Sequence, residues 1–267
     1  MTTPTQPASY LLSRDRIEAV RLESQHLLWK LNTGYTLHPD IPIKDDMSIA
    51  DIGAGTSIWA LELASQLPPP HRPKYWPANV SFDLLDSLSE VPPSLVGQLD
   101  VVHLRMWAFI IRNNDPGPLI RNAAKLLKPG GYLQWEDARF GSTVVRGDAA
   151  AHVRQMMDLM SAPTYICFNW LESLDKHVQQ ADAGMEVLDC KYAPWPSHLV
   201  PLCMDTFTLA LENSRAALDP LKTISSSVPS QEEWMAGLAA LYEDIRKHEG
   251  DQLYWLPVAL VGRKAEA

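Results

Sequence analysis

The chain is poor in cysteine and in positive charge. Its 267 residues include only Cys167, Cys190 and Cys203, which are far apart and form no C-x-x-C pair. This spacing favours neither a disulfide framework nor a zinc site, so we expect a reducing compartment and no bound metal. The net charge of −9 leaves no concentrated basic face for phosphate. We therefore expect no nucleic-acid partner, and a neutral or cationic small molecule as substrate.

Long apolar runs are also missing. The longest, residues 106–111, is far too short to cross a bilayer. Residues 1–9 have neither the basic nor the apolar part of a secretory signal. We therefore expect no membrane association and a cytoplasmic location, with the nucleus as an alternative. No pattern in the sequence indicates the oligomeric state.

What the sequence does contain is a glycine turn between two apolar segments. Residues 49–52 form a short, mainly apolar run, Gly53 and Gly55 follow it, and residues 58–67 have helical apolar spacing. This order is typical of a buried parallel strand that turns into a helix. Glycine permits positive φ and lets a ligand lie against the backbone, beside the free N–H groups of the helix. Plain turn chemistry is the alternative.

Two nucleotide cofactors compete for this turn. A dinucleotide fingerprint requires a third glycine where this chain has Ile58, so that hypothesis is weak. The other pattern has an acid two residues before G-x-G, and Asp51, Gly53 and Gly55 match it. This arrangement resembles motif I of the class I S-adenosylmethionine methyltransferases, in which the glycines pass beneath the methionine and ribose parts of the cofactor. Ser57 stands where most members of that family have a third glycine.

Strands and helices alternate through the first half of the chain. We predict strands over residues 49–52, 80–85, 99–105 and 132–136, with helices over 58–67 and from Pro116. The proline-rich segment 68–77 suits neither a central strand nor a helix, because proline donates no backbone hydrogen bond. The alternation predicts an α/β fold with a Rossmann-like, mostly parallel sheet and helices on both faces. In this sheet the second strand is missing, or is displaced into the place beside the first.

Four regions are expected along the chain. They are an N-terminal arm and lid helix over residues 1–45, a cofactor-binding core over 46–140, a mostly helical substrate region over 141–250, and a returning strand over 251–267. The inward face of the lid helix is predicted to carry Ile17, Val20, Leu27, Leu28 and Leu31. The loop after it contains Tyr35 and His38, and either closes over the cofactor or is solvated. Late strands at residues 184–187 and 253–261 are expected to form an antiparallel edge pair.

Further segments carry a narrower resemblance. They are residues 25–39, 76–82, 100–105, 112–116, 128–136 and 257–264. Together with motif I, these segments resemble the fungal secondary-metabolite methyltransferases related to the LaeA regulator, from near residue 10 to the end of the chain. The resemblance implies S-adenosyl-L-methionine as cofactor and O- or N-methylation of a small-molecule secondary metabolite in a biosynthetic pathway. Members usually have an additional strand that ends in Asp-Ile-Ser before residue 76, and this chain lacks that sequence.

The candidate cofactor residues lie where strands end, since ligands of open α/β sheets bind there. They are Asp51, Gly53, Ala54, Gly55, Asp86 and Arg105. Asp51 would orient the glycine loop or accept from the ammonium of the cofactor, and the turn residues would allow close backbone approach. Asp86 would accept from the adenine amino group, as the resemblance implies.

Catalysis of methyl transfer requires alignment, exclusion of water and, where the acceptor carries a proton, a base. His103 is the leading candidate for that base, because imidazole titrates near neutral pH. Glu136 and Asp137 are rivals. The alternative is structural: His103 bonds a neighbouring loop, and the acids form ion pairs with Arg105 or cap a turn.

Two other functions stay open, because a fold does not determine a function. The first is a methyltransferase-like fold that serves a cyclase or pericyclase-type enzyme without methyl transfer. The second is a non-catalytic regulatory protein, as the resemblance to LaeA allows.

Overall fold

A computed structural model describes residues 12, 15–66, 79–247 and 252–266. These residues form one five-stranded sheet with the strand order β1-β2-β3-β5-β4. The strands are β1 (Ile49–Ile52), β2 (Leu99–Arg105), β3 (Leu127–Arg146), β4 (Met185–Lys191) and β5 (Gln252–Lys264). The first three strands are parallel to one another, and β5 is antiparallel to both β3 and β4.

Eight helices accompany the sheet over the described ranges. They are α1 (Arg16–Thr33), α2 (Ile58–Gln66), α3 (Gly117–Leu126), α4 (Asp148–Ser161), α5 (Leu174–Gln180), α6 (Val200–Asn213), α7 (Leu218–Ile224) and α8 (Gln231–Lys247). The predicted α/β class, with a mostly parallel sheet and helices on both sides, is confirmed. The antiparallel pair of late strands is confirmed as well, with β4 at the edge of the sheet.

The predicted strand over residues 80–85 is wrong. This segment takes part in no strand pairing with the rest of the described chain. Phe82 and Leu84 are 58% and 106% exposed, so the side chains that were expected in a sheet face solvent. β1 pairs only with β2 among these five strands and lies at the sheet edge. The proline-rich segment itself falls within residues 67–78, outside the described part.

The predicted inward face of α1 is wrong too. Of the five apolar residues expected there, only Leu28 is buried, and the other four are between 49% and 57% exposed. The buried side instead carries Glu18, Arg21 and Gln25 together with Leu28 and Trp29. Asp15, at the N-cap, accepts a hydrogen bond from the Glu18 backbone N–H at 2.9 Å. The helix therefore turns polar groups inward, and their partners are described with the site.

The helices of the C-terminal half bury apolar side chains. Ser230 and Glu233 form a capping box at the start of α8, in which the Ser230 N–H donates to Glu233 Oε2 at 2.7 Å and Glu233 N–H donates to Ser230 Oγ at 3.2 Å. The methionines of α4, Met156, Met157 and Met160, are buried. No helix within the described residues combines the length and apolarity needed to span a bilayer.

Candidate functional site

A cleft of about 130 Å³ lies at the carboxyl ends of β1 and β2. Its wall is built from the glycine turn, the end of β2, the middle of β3 and faces of α1, α4 and α6. The lining residues are Leu12, Arg21, Leu22, Gln25, Gly53, Gly55, Arg105, Met106, Phe109, Phe140, Met157, Met160, Ser161, Thr206, Phe207, Ala210, Leu211, Ser214 and Trp255. The cleft is thus where ligands of open α/β sheets are expected to bind.

The glycine turn presents bare backbone to this cleft. Gly53 has φ +78° and Gly55 has φ +56°. A Cβ at Gly53 would meet Trp107 Cζ2 at 3.2 Å, and one at Gly55 would meet Leu22 Cδ1 at 3.2 Å. Glycine is therefore needed here both for the backbone conformation and for the space.

Ser57 stands where the resemblance implies a third glycine. It has φ +63°, a conformation that costs a residue with a Cβ some strain. Its N–H donates to the Ala54 carbonyl at 2.7 Å and closes the turn before α2. Beside it, Thr56 Oγ1 is buried and has no hydrogen-bond partner among the described residues. The turn therefore contains a buried hydroxyl oxygen to which no described residue is hydrogen-bonded.

One side of the turn is covered by Trp107, which follows β2. Its indole Nε1 donates to the Ile52 carbonyl at 3.3 Å. Asp137 holds the backbone of the same loop, accepting from the N–H groups of Trp107 at 2.9 Å and Ala108 at 3.3 Å. Burial raises the pKa of Asp137 to about 6, although these N–H groups and that of the Trp135 indole oppose the rise. Asp137, a candidate base in the sequence, is thus a buried support of the loop.

His103 lies behind the turn. Its ring stacks on Trp59 of α2, with 3.8 Å between centroids and 4° between planes. The Nδ1 atom is 2.7 Å from Asp51 Oδ1, so the ring nitrogen and the carboxylate form a buried hydrogen bond between β2 and β1. The Nε2 atom faces Glu136 Oε2 at 3.5 Å, beyond hydrogen-bond reach for a ring N–H in this geometry.

Glu136 fixes the arginine that reaches the cleft. Arg105 Nε donates to Glu136 Oε2 at 2.7 Å, and Nη2 forms an ion pair with the same oxygen. Burial alone would raise the pKa of Glu136, but the Arg105 guanidinium and His103 outweigh it and lower the pKa to about 2. Gln134 Nε2 donates to the other oxygen at 2.9 Å. A charged carboxylate is therefore held under the cleft by a cation that lines it.

His26 connects this arginine to α1 and α2. Arg105 Nη1 donates to His26 Nδ1 at 2.9 Å, and since a guanidinium cannot accept, His26 Nδ1 must carry its lone pair. The proton then resides on Nε2, which donates to Glu62 Oε2 at 2.5 Å. Burial, and then the charge of Arg105, lower the pKa of His26 to about 4. His26 is a neutral link between the sheet and two helices.

Arg21 supplies the second guanidinium of the cleft wall. Its Nε and Nη2 donate to Glu18 at 2.8 and 2.6 Å, and both side chains are about 5% exposed or less. Asn213 of α6 donates to the same carboxylate at 3.0 Å. Arg21 is thus held in place from two helices, and its carboxylate partner Glu18 is not itself one of the lining residues.

The structure brings only some of the sequence candidates together at the cleft. Gly53, Gly55 and Arg105 line it, and Ala54 lies half-buried between the two glycines. Asp51, His103 and Glu136 form one connected group beneath it, with side chains between 1% and 7% exposed. None of these three is among the described residues of the cleft wall.

Asp86 stands apart from this group. It is not at the end of a strand, and it does not line the cleft. Its Oδ1 accepts from the Leu88 N–H at 3.1 Å and its Oδ2 from Ser89 Oγ at 2.6 Å, bonds that lower its pKa. Asp86 therefore closes its own exposed turn, and its adenine-binding role stays a prediction.

Sequence reasoning did not identify the polar residues of α1 or the aromatic wall as site residues. The sequence gives no signal for Arg21 and Gln25, because the apolar stripe of α1 predicts that the other side of this helix faces inward. Phe140, Phe207 and Trp255 come from distant elements, and no local pattern unites them. The helical spacing of Met157 and Met160 is a local pattern in the sequence, and both side chains line the cleft. Over the described ranges, no three or more His, Cys, Asp or Glu side chains are arranged to hold a metal ion.

No protein-family profile matches the chain. Individual curated relatives do, and they are fungal methyltransferases. The chain is 32% identical over 176 residues to methyltransferase grgD of Penicillium sp, a match that covers 59% of this chain and 61% of that protein. It is 32% identical over 141 residues to N-methyltransferase sirN of Leptosphaeria maculans, covering 48% and 49%. Both matches span less than two thirds of the relative's own length.

A weaker match extends further. N-methyltransferase tcpN of Claviceps purpurea (strain 20.1) is 23% identical over 283 aligned positions, which cover 91% of this chain and 93% of that protein. These relatives confirm the resemblance to fungal methyltransferases.

Among solved structures, phosphoethanolamine N-methyltransferase 2 of Haemonchus contortus has a TM-score of 0.53 at 14% identity, covering 97% of this chain and 59% of that one. That structure contains phosphomonomethylethanolamine and S-adenosylhomocysteine. At this identity the likeness shows the fold alone. The chain has the Rossmann-like fold of the methyltransferases.

Proposed function

We propose that this chain is an S-adenosyl-L-methionine-dependent methyltransferase that acts on a small-molecule secondary metabolite. The observation that carries the proposal is the pair of positive-φ glycines, Gly53 and Gly55, facing a cleft at the strand ends. The similarity to fungal methyltransferases supports it. A cytoplasmic or nuclear location, and a substrate that is neither nucleic acid nor membrane, belong to the same proposal.

The residues present fit such a cofactor at its methionine end. Gly53 and Gly55 line the cleft with backbone alone, and a Cβ at either position would come within 3.2 Å of Trp107 or Leu22. Arg105 offers a guanidinium, held by Glu136, that can pair with a carboxylate. No carboxylate lines the cleft among the described residues, so a partner for the ribose hydroxyls would have to come from elsewhere.

When bound, S-adenosylmethionine supplies a methyl group that its sulfonium has already activated. The chain's own residues then have to position the acceptor in line and exclude water. The apolar wall, which includes Phe140, Phe207 and Trp255, supplies the exclusion. We assign Asp51, His103 and Glu136 to the support of the turn and of Arg105, since none of them reaches the wall.

The cleft must widen to hold cofactor and acceptor together. Its volume, about 130 Å³, is below the roughly 300 Å³ at which ligand pockets usually begin. Met106, Met157 and Met160 line it, and methionine side chains change rotamer at low cost. These three residues are therefore the ones we expect to move.

Calorimetric titration with S-adenosylhomocysteine tests the proposal. We expect binding to the wild-type protein and at least about tenfold weaker binding to Gly55→Ala, whose Cβ faces Leu22 at 3.2 Å. Gly184→Ala is the matched control, because Gly184 also has positive φ, +61°, with nothing within 4 Å of its Cβ. It should bind like wild type. No heat from the wild-type protein at millimolar ligand would remove the proposal.

Methyl transfer itself requires a second experiment. Purified protein is incubated with S-adenosylmethionine labelled in the methyl group and an extract of small metabolites, and the label is followed into a product. Binding without transfer would favour the cyclase or the regulatory hypothesis instead. Neither of these is favoured by the relatives, which carry methyltransferase names.

A further inference from the structure

The wall of the cleft has two chemically distinct parts. One is apolar and polarisable, formed by aromatic and methionine side chains with hydroxyls from Ser161, Thr206 and Ser214 at intervals. The other is the cationic pair Arg21 and Arg105 with the amide of Gln25. Within the described lining, these two arginines are the only titratable side chains: it contains no carboxylate, imidazole, amine, thiol or phenol.

This composition limits how an acceptor could react. A guanidinium has donors only and stays protonated, so neither arginine can take a proton from an acceptor. His103 and Glu136 have side chains only 1% exposed and lie outside the wall. An acceptor that must lose a proton during transfer would find no base on the described wall. The acceptor should therefore arrive with its nucleophilic lone pair already free.

The charge of the groups that line the cleft determines which of these acceptors binds more tightly. Each arginine has a carboxylate partner, Glu18 for Arg21 and Glu136 for Arg105, but both carboxylates lie outside the wall. The cleft is thus faced by the cationic ends of two ion pairs, although the whole chain has a net charge of −9. An anion would gain charge-assisted hydrogen bonds from a guanidinium, which has only donors to offer, and a cationic acceptor would gain none. Such a substrate would differ from the neutral or cationic one that the net charge predicts.

Arg21 is the better placed of the two for an acceptor. Arg105 adjoins the glycine turn and is proposed above for the cofactor. Arg21 lies on α1, where Glu18 engages its Nε and Nη2 and Asn213 of α6 engages Glu18. Little side-chain entropy is left to lose when an anion binds, because the guanidinium is already oriented.

We propose that the substrate is a flat apolar molecule whose acceptor group is an anion, either a carboxylate or the enolate of an acidic enol. Arg21 binds this anionic group. The proposal rests on the proposed function. The step balances without a proton: an acceptor oxygen lone pair forms the new bond to the methyl carbon, the carbon–sulfur bond breaks, and its electron pair stays on sulfur. The products are a neutral ester or enol ether and a neutral thioether.

Three isosteric probes test the charge preference on the wild-type protein. They are naphthalene-2-carboxylate, naphthalen-2-ylmethanol and naphthalen-2-ylmethanamine, which present an anion, a neutral hydroxyl and a cation on the same ring. Each is titrated calorimetrically at pH 7, with and without saturating S-adenosylhomocysteine. We expect the carboxylate to bind at least about tenfold more tightly than the amine, the ratio given by one charge-assisted hydrogen bond.

A variant then assigns the preference to Arg21. Removing the arginine alone would leave Glu18 as an unpaired buried charge, so the test uses the double variant Glu18→Gln/Arg21→Gln, which can keep a neutral hydrogen bond between the two helical turns. With saturating S-adenosylhomocysteine, whose carboxylate is proposed to pair with Arg105, its carboxylate-to-amine ratio should fall to near unity. Arg16→Gln, an exposed arginine on the same helix, should keep the wild-type ratio.

The outcomes are separable from those of the proposed function. An amine that binds as well as the carboxylate, a carboxylate that fails to bind at millimolar concentration, or an unchanged ratio in the double variant would overturn the inference. Those results would leave the binding of S-adenosylhomocysteine untouched. Conversely, absence of that binding with an intact charge preference would remove the methyltransferase proposal and retain the anion site.

Discussion

His103 of β2 lies directly opposite Asp51 of β1, and its Nδ1 is 2.7 Å from Asp51 Oδ1. The two side chains are 1% and 7% exposed. Since β1 pairs only with β2 within the described sheet, this contact and the backbone ladder together hold the strand that leads into the glycine turn. The pair is therefore a buried polar link at the base of the candidate site.

Substitution of Asp51 or His103 should destabilise the protein because it removes the interaction between these two side chains. In a double-mutant cycle with Asp51→Ala and His103→Ala, we expect a coupling of about 1–3 kcal/mol, because each single change leaves a buried polar group without its partner. Urea unfolding supplies the free energies. The same cycle on Arg154 and Asp158, a more exposed pair on α4, is the control and should give below about 0.5 kcal/mol. Equal couplings would contradict the role we assign to the buried pair.

Glu136→Gln should cost more stability at pH 7 than at pH 3. The folded pKa of about 2 is below the ordinary 4.5, so the charged carboxylate stabilises the fold above pH 4.5 and this contribution disappears as the pH falls towards 2. The shift corresponds to about 3 kcal/mol. Urea midpoints of wild type and variant at pH 7 and pH 3 measure the difference. A gap that is as large at pH 3 as at pH 7 would show that packing, and not charge, is responsible.

His26 should make the fold sensitive to mild acid. Its folded pKa of about 4 is below the ordinary 6.5, so the unfolded chain binds the proton first, and stability falls as the pH drops from about 6.5 to about 4. His26→Gln can still accept from Arg105 and donate to Glu62 but does not titrate. We expect it to reduce the slope of melting temperature against pH in this window. The exposed His152→Gln serves as control, and a slope equal to wild type in His26→Gln would refute the assignment.

Ser230→Ala should cost about 1 kcal/mol, because it removes the side-chain half of the capping box and frees the Glu233 N–H at the start of α8. The comparison is Ser226→Ala, four residues earlier in an exposed turn, which should change stability by no more than a few tenths. Thermal unfolding of both variants against wild type measures the two values. Equal losses would mean that the cap contributes nothing of its own.

The strands whose bounds the sequence predicts best are those that end at a change in residue type. The predicted bounds of β1 and β2 agree with the structure to the residue. Both are short, mainly apolar runs of parallel strands, and each ends where the composition changes, at Gly53 and after Arg105.

Residues 80–85 show the limit of such patterns. Val80, Phe82 and Leu84 alternate as a half-buried strand should, yet Phe82 and Leu84 are exposed. Alternation tells which side chains would share a face. It does not tell whether a neighbouring strand offers its hydrogen bonds, and a strand exists only with that neighbour.

The reversal of α1 has a similar cause. Periodicity locates an apolar stripe, but the side that faces the protein carries Arg21 and Glu18, whose partner Asn213 is 195 residues away from Glu18. A contact at that separation leaves no mark in the local sequence. The proximity of His103 and Arg105 can be predicted from the sequence, because residues two apart on a strand point to the same face. Their opposing partners, Asp51 and Glu136, depend on the register of three strands.

Trp255 borders the cleft and packs against Trp195 and Trp29, with 5.0 and 5.6 Å between ring centroids. Indole emission responds to the polarity and motion around the ring. Entry of a ligand, or a displacement of α1 through Trp29, would therefore change the colour and intensity of the protein's own fluorescence. Ligand binding can therefore be followed by tryptophan fluorescence, and titrations need no attached dye.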